Sequence, residues 1–121
     1  MPRVNIPLTD IDRAGSANVG TAGTEVTGDA TNNHDVVGGD GVIVVARNSS
    51  GTTARVVTEV IQDQVDGQAV TNRTVSVPAN GHKIIGPFSQ EYLVKSGADK
   101  GKIYLNADNA DLRFQAFKLP R

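Results

Sequence analysis

The chain contains no cysteine and no tryptophan. The first absence removes disulfides, thiolate zinc sites and cysteine nucleophiles together, so stability must come from packing and assembly. With three Phe and two Tyr as the only aromatic residues, a core has to be built from Val, Ile, Leu and Ala, a mixture that suits stacked sheets better than a deep aromatic pocket. An excess of one charge is missing as well: twelve Lys and Arg stand against thirteen Asp and Glu. The basic residues are scattered singly, whereas phosphate binding needs a clustered positive face, so no nucleic-acid partner is expected. No apolar run approaches the ~20 residues of a membrane helix, and the start MPRVNIPLTDID has no stretch long enough for a signal peptide. The expectation is a soluble protein kept inside a cell, with no membrane partner. The sequons at Asn48 and Asn72 then have no secretory route to a glycan.

At 121 residues there is room for one modest core. Residues 14–41, AGSANVGTAGTEVTGDATNNHDVVGGDG, carry only isolated valines among Gly, Ala, Thr, Asn and Asp, and such a composition buries little surface. Ahead of it, Val4, Ile6 and Leu8 alternate with polar or proline residues, a strand-like pattern that Pro7 confines to a sheet edge. The sequence thus divides into an extended N-terminal arm and flexible linker over 1–40 and a β-sandwich domain over 41–121.

From Gly41 onward valine-rich runs alternate with turn signals. GVIVVARN and ARVVTEVI flank a polar turn of hairpin length. In the second run Val56, Thr58 and Val60 form an apolar face with a threonine, while Arg55, Val57, Glu59 and Ile61 form a mixed one, the pattern of a half-buried strand. AVTNRTVSV, HKIIG, EYLVK, KIYLNA and DLRFQAFKL follow, separated by Pro78-Ala79-Asn80-Gly81, Gly86-Pro87, SGADKG and Asp108-Asn109. About seven short strands at regular spacing, with no helical period, predict an all-β fold: an antiparallel β-sandwich or jelly-roll-like small barrel with an extended N-terminal arm. The last strand breaks its alternation, since Leu112, Phe114 and Ala116 share one face and Phe117 and Leu119 fall on the other. Either a bulge shifts the phase near Ala116, or Phe117 and Leu119 emerge as an apolar surface for another subunit.

Reactive constellations are sparse. His34 lies in the polar stretch NNHD and His82 follows a turn, and no Gly-x-Ser-x-Gly elbow accompanies either, so no catalytic residue is assigned. Asp29, Asp35 and Asp40 around His34, or the run Asp108-Asn109-Ala110-Asp111, lack the spacing of a calcium loop. Gly38-Gly39-Asp40-Gly41 precedes a strand, where phosphate loops follow one. Neither a metal nor a cofactor is expected. Tyr92 and Tyr104 would have to stand together beside a groove to make a sugar platform.

Taken in order, a strand ending in ARNSSG, then DGQAVTNRTVSVPANG and GPFSQEYLVKSGADKGKIYLNADNADLRFQAFKLP resemble the small β-sandwich head proteins of tailed bacteriophages. The resemblance spans roughly residues 41–119 and is one of layout. It implies a non-enzymatic capsid decoration or minor capsid protein that binds the outer face of the virion, assembled in the host cytoplasm. Its partners would be the major capsid protein and copies of itself, as a homo-oligomer, such proteins often being homotrimers. The alternatives are a carbohydrate-binding module and a head-to-tail connector or tail component. On this reading Val4, Ile6, Leu8 and Ile11 of the arm, with Tyr92, Phe117 and Leu119, form the subunit or capsid interface. Removal of residues 1–12 would then leave the sandwich folded.

Overall fold

A computed structural model describes residues 3–11, 25–39, 41–62 and 64–119. It is all-β, two sheets face to face, as the strand spacing predicts. The strands in chain order are β1 (Val4–Asn5), β2 (Leu8–Asp10), β3 (Val26–Thr27), β4 (His34–Val37), β5 (Val42–Asn48), β6 (Arg55–Glu59), β7 (Gln64–Val65), β8 (Gln68–Ala69), β9 (Arg73–Val77), β10 (His82–Ile85), β11 (Lys102–Ala107) and β12 (Leu112–Lys118). One sheet runs β1-β4-β11-β6-β9, the other β10-β5-β12-β2, with β3 also on β12; β7 and β8 form a small ribbon of their own. EYLVK, expected as a strand, instead forms a 3-10 turn at Gln90–Tyr92 and a single bridge from Leu93 to Ile103.

Alternation delivers the core. Val42, Val44 and Ala46 of β5, Leu112, Phe114 and Ala116 of β12, and Ile103 and Leu105 of β11 point between the sheets and are buried. Small β-branched side chains fill this layer because pleated strands present them at every second position. β12 has no bulge: its register with β5 runs unbroken from Leu112 opposite Asn48 to Lys118 opposite Val42. Phe117 therefore does face away from the core layer, beside Ile43, yet only 3% of it is exposed. It cannot serve as the open subunit contact expected of it.

Several turns taken for hairpins are something else. The links from β5 to β6, from β9 to β10 and from β11 to β12 each carry the chain from one sheet to the other. Asn48 is the reason the first two sit together. Its side-chain nitrogen donates to the carbonyls of Thr53 (2.8 Å) and Val77 (3.0 Å), and its oxygen accepts from the Ser50 N–H (2.9 Å). Asn80 adds a bond from its backbone N–H to the Ser50 carbonyl. With Asn48 1% exposed and Val77 fully buried, the Val77 carbonyl and the Asn48 amide have no water to fall back on. Asn48→Ala is expected to cost about 2–3 kcal/mol in urea unfolding, since it strands buried polar groups at the point where both turns meet. An unchanged midpoint would show that the clamp contributes nothing.

The boundary expected at residue 40 does not divide the described chain. β1 pairs in parallel with β4, placing Val4 opposite His34, and β2 pairs in parallel with β12, placing Leu8 opposite Ala116. Pro7, unable to donate to a ladder, sits where the chain leaves one sheet for the other. Between the two strands Ile6 is 1% exposed, and its N–H donates to the Asp35 carbonyl at 2.8 Å. The N-terminal strands thus close one side of the sandwich. β4 itself is an inner strand, flanked by β1 and β11. Of the arm and flexible linker expected over residues 1–40, residues 1–2, 12–24 and 40 lie outside the described residues.

Candidate functional site

The side opposite the N-terminal strands is open. There β9 ends one sheet and β10 the other. Between them lies a cleft of about 390 Å³ lined by residues of both strands and of the segment after β10. Arg73 and Val75 come from β9, Ile84 and Ile85 from β10, and Ser89, Glu91 and Tyr92 from the 3-10 segment that roofs it. The roof is held by the Gln62 N–H donating to the Glu91 carbonyl at 2.7 Å, and by the Tyr92 ring meeting Phe88 edge-on at 5.7 Å. Gly86 makes the approach possible. Its φ is +123°, and a Cβ there would lie 3.0 Å from the Val42 carbonyl oxygen.

Glu59 reaches this cleft from within. The structure turns β6 the other way from the apolar-face reading: Val57 and Glu59 point inward, while Val56 and Thr58 are only half-buried. The pairing decides this, because Ala107 stands opposite Val57 and Leu105 opposite Glu59, and both belong to the inward row of β11. Glu59 is consequently 5% exposed, with Arg73 directly across the strand pair. Burial raises the carboxyl above its ordinary value, and the positive charge of Arg73 opposes that rise only in part. Among the described residues no hydrogen bond or ion pair reaches the carboxylate. In sequence Glu59 looked like one charge in an alternating strand, and only the inward parity of its neighbours could have flagged it.

The β2–β12 pairing brings Leu8 and Ile11 beside Phe117 and Leu119, but the interface residues named from sequence form no shared exposed face. Ile6 and Tyr92 are core, Val4, Leu8 and Ile11 are half-buried against their own sheets, and of the seven only Leu119, at 43%, is well exposed. Tyr92 lines the cleft, whereas Tyr104 lies on the outer face of its sheet, its hydroxyl donating to Asp99 at 2.6 Å under the Arg3 guanidinium. The two tyrosines therefore form no shared platform.

The histidines part company too. His82 is exposed at the start of β10. His34, expected on a flexible polar stretch, is fully buried with its ring 4.8 Å from that of Phe114. Its Nε2 accepts from the Asp29 N–H at 2.9 Å and its Nδ1 donates to the Val4 carbonyl at 3.2 Å, so the ring is neutral with its proton on Nδ1. Asp29, imagined as a metal ligand, instead accepts from the N–H groups of Thr31 and Asn32 and closes its own turn. Among the described residues no three His, Cys, Asp or Glu side chains are gathered as a metal site. Asp40 lies outside the described residues. Among those described, no helix is long and apolar enough to cross a membrane.

Compared with protein-family models, curated proteins and solved structures, the chain has no match.

Proposed function

We propose that this protein is a non-catalytic structural module that attaches, in many copies, to a larger protein assembly, the outer shell of a tailed-phage head being the setting. The sequence layout over residues 41–119 supports the setting. The observation that carries attachment is the open side of the sandwich, where β9 and β10 each end a sheet and Ile84 is 70% exposed. A terminal strand offers unpaired backbone N–H and carbonyl groups, which another chain can complete by adding a strand. Ile84 supplies the apolar anchor beside that edge. Copies arrayed on one lattice bind by avidity, so each contact can be small. The major capsid protein is the partner on this reading, and a homotrimer is the arrangement taken from the resemblance.

Two measurements test it. Mass spectrometry of purified particles from the phage that encodes the chain is expected to find it in a fixed ratio to the major capsid subunit; its absence from particles would refute the setting. Ile84→Glu is expected to leave folding stability within about 0.5 kcal/mol of the parent, because the side chain is exposed, and to abolish co-sedimentation with shells. Undiminished co-sedimentation would show that attachment does not use this edge.

A further inference from the structure

We propose that the cleft between β9 and β10 is a binding site for an alkylammonium group, with the Glu59 carboxylate as its counter-ion. Among the described residues no fully buried side-chain oxygen lacks a hydrogen-bond partner, so the carboxylate of Glu59, which has none, meets solvent where it lines the cleft and is reachable there by a ligand. Glu59 is 5% exposed, lines a cleft of about 390 Å³ and accepts no hydrogen bond from the described residues. An ammonium ion entering the cleft would supply what is missing: up to three N–H donors and a full positive charge. Glu91 at the roof adds a second carboxylate to the lining. The lining is mostly polar, and Val75 and Pro87 give it a small apolar part that a short methylene stem can touch.

Arg73 does not pre-empt the site. It is exposed, and although it faces Glu59 across the strand pair it forms no ion pair with it. It repels a cation at the mouth and so favours a compact charge on a slim stem, which can pass to the carboxylate. A bulky planar guanidinium would have to displace it. Burial holds the Glu59 proton more tightly than usual, and a bound ammonium would release it.

The same chemistry is carried by a free primary amine and by a lysine side chain presented by a protein. Ile84 lines both this cleft and the proposed attachment edge, so Glu59→Gln, which leaves Ile84 and the strand edges intact, separates a failure of this site from a failure of the shell-attachment reading.

The test is a titration of the full chain followed by amide NMR, with n-butylammonium chloride, Nα-acetyl-lysine N-methylamide and n-butanol as probes. Saturable shifts confined to the cleft are expected with the first two and not with butanol. Similar affinity for both amines assigns the site to a free amine, and a clear preference for the lysine derivative assigns it to a protein side chain. Glu59→Gln, which removes a buried charge and is expected to fold at least as stably, should weaken binding about tenfold or more. Equal affinity in Glu59→Gln, equal binding of butanol, or no saturable shift in the parent protein would each overturn the proposal.

Discussion

Removal of residues 1–11 is expected to destabilise the whole sandwich. The sequence alone suggests a dispensable arm, but Ile6 is 1% exposed at the closed side of the core, and its loss leaves a cavity between the sheets. Large-to-small changes at such a position cost about 2–5 kcal/mol, against a total stability of about 5–15 kcal/mol for a domain. The truncation also removes the Val4 carbonyl that accepts from His34 and the Arg3 guanidinium that donates to Asn106 at 2.7 Å. Two controls separate these contributions. Ile6→Ala alone should lower the unfolding free energy from urea titration by about 2–5 kcal/mol, and Arg3→Ala should lower it by much less because its pairs are only part-buried. A truncated protein that melts with the parent would mean that the N-terminal strands are docked on the sandwich without supporting it.

The second large effect is an acid transition centred on His34. Burial holds this imidazole below its ordinary value of 6.5, while the Val4 carbonyl and the negative charges of Asp29 and Asp35 raise it in part and Arg3 lowers it further. A histidine whose folded value is depressed binds its proton more readily when unfolded. Its neutral form therefore stabilises the fold fully above about pH 6.5, and that contribution falls away as the pH drops toward the folded value. The structural cause is specific. Protonation puts a hydrogen on Nε2, where the Asp29 N–H already donates, so two donors would face each other beside the Phe114 ring.

Asp29 acts in a lower window. Its carboxyl is held below the usual value by bonds from the Asn32 and Thr31 N–H groups, and its contribution persists until about pH 4 and is lost below. Glu59 works in the opposite sense, since its raised value favours the fold at low pH. Between pH 7 and 5 His34 is expected to lower the stability as the pH falls below about 6.5, with Glu59 opposing that loss. His34→Gln should flatten that segment of the stability profile, at a fixed cost of about 1–3 kcal/mol at neutral pH. A parent profile that is flat from pH 7 to 5 would contradict the neutral, doubly bonded ring.

Both effects turn on residues whose character was not visible in the linear pattern. NNHD reads as loop because Asn and Asp dominate it, yet Asn33 adopts a positive φ of 61°, a conformation asparagine tolerates, and His34 and Asp35 then run directly into an inner strand. A single short strand of four residues carries too little periodicity to announce itself. The turns between sheets were misread for a related reason. Asn48-Ser49-Ser50-Gly51-Thr52 and Pro78-Ala79-Asn80-Gly81 have hairpin chemistry, and what makes them cross from sheet to sheet is the buried Asn48 side chain bridging Thr53 and Val77, a contact across 29 residues in its longer arm.

What the sequence determined by itself is the all-β class and the positions of its longest strands. Val42–Asn48, Lys102–Ala107 and Leu112–Lys118 were legible because β-branched and alternating residues state both a conformation and a buried face locally. What only the tertiary structure decided is where those faces meet. The inward turn of Glu59, the burial of Ile6 and the pairing of His34 with Val4 depend on register between strands far apart in the chain, and a shift of one residue would send each of those side chains to the other face. Register is settled by the sum of contacts across both sheets, so the cleft and the Glu59 carboxylate that lines it exist only in the assembled fold.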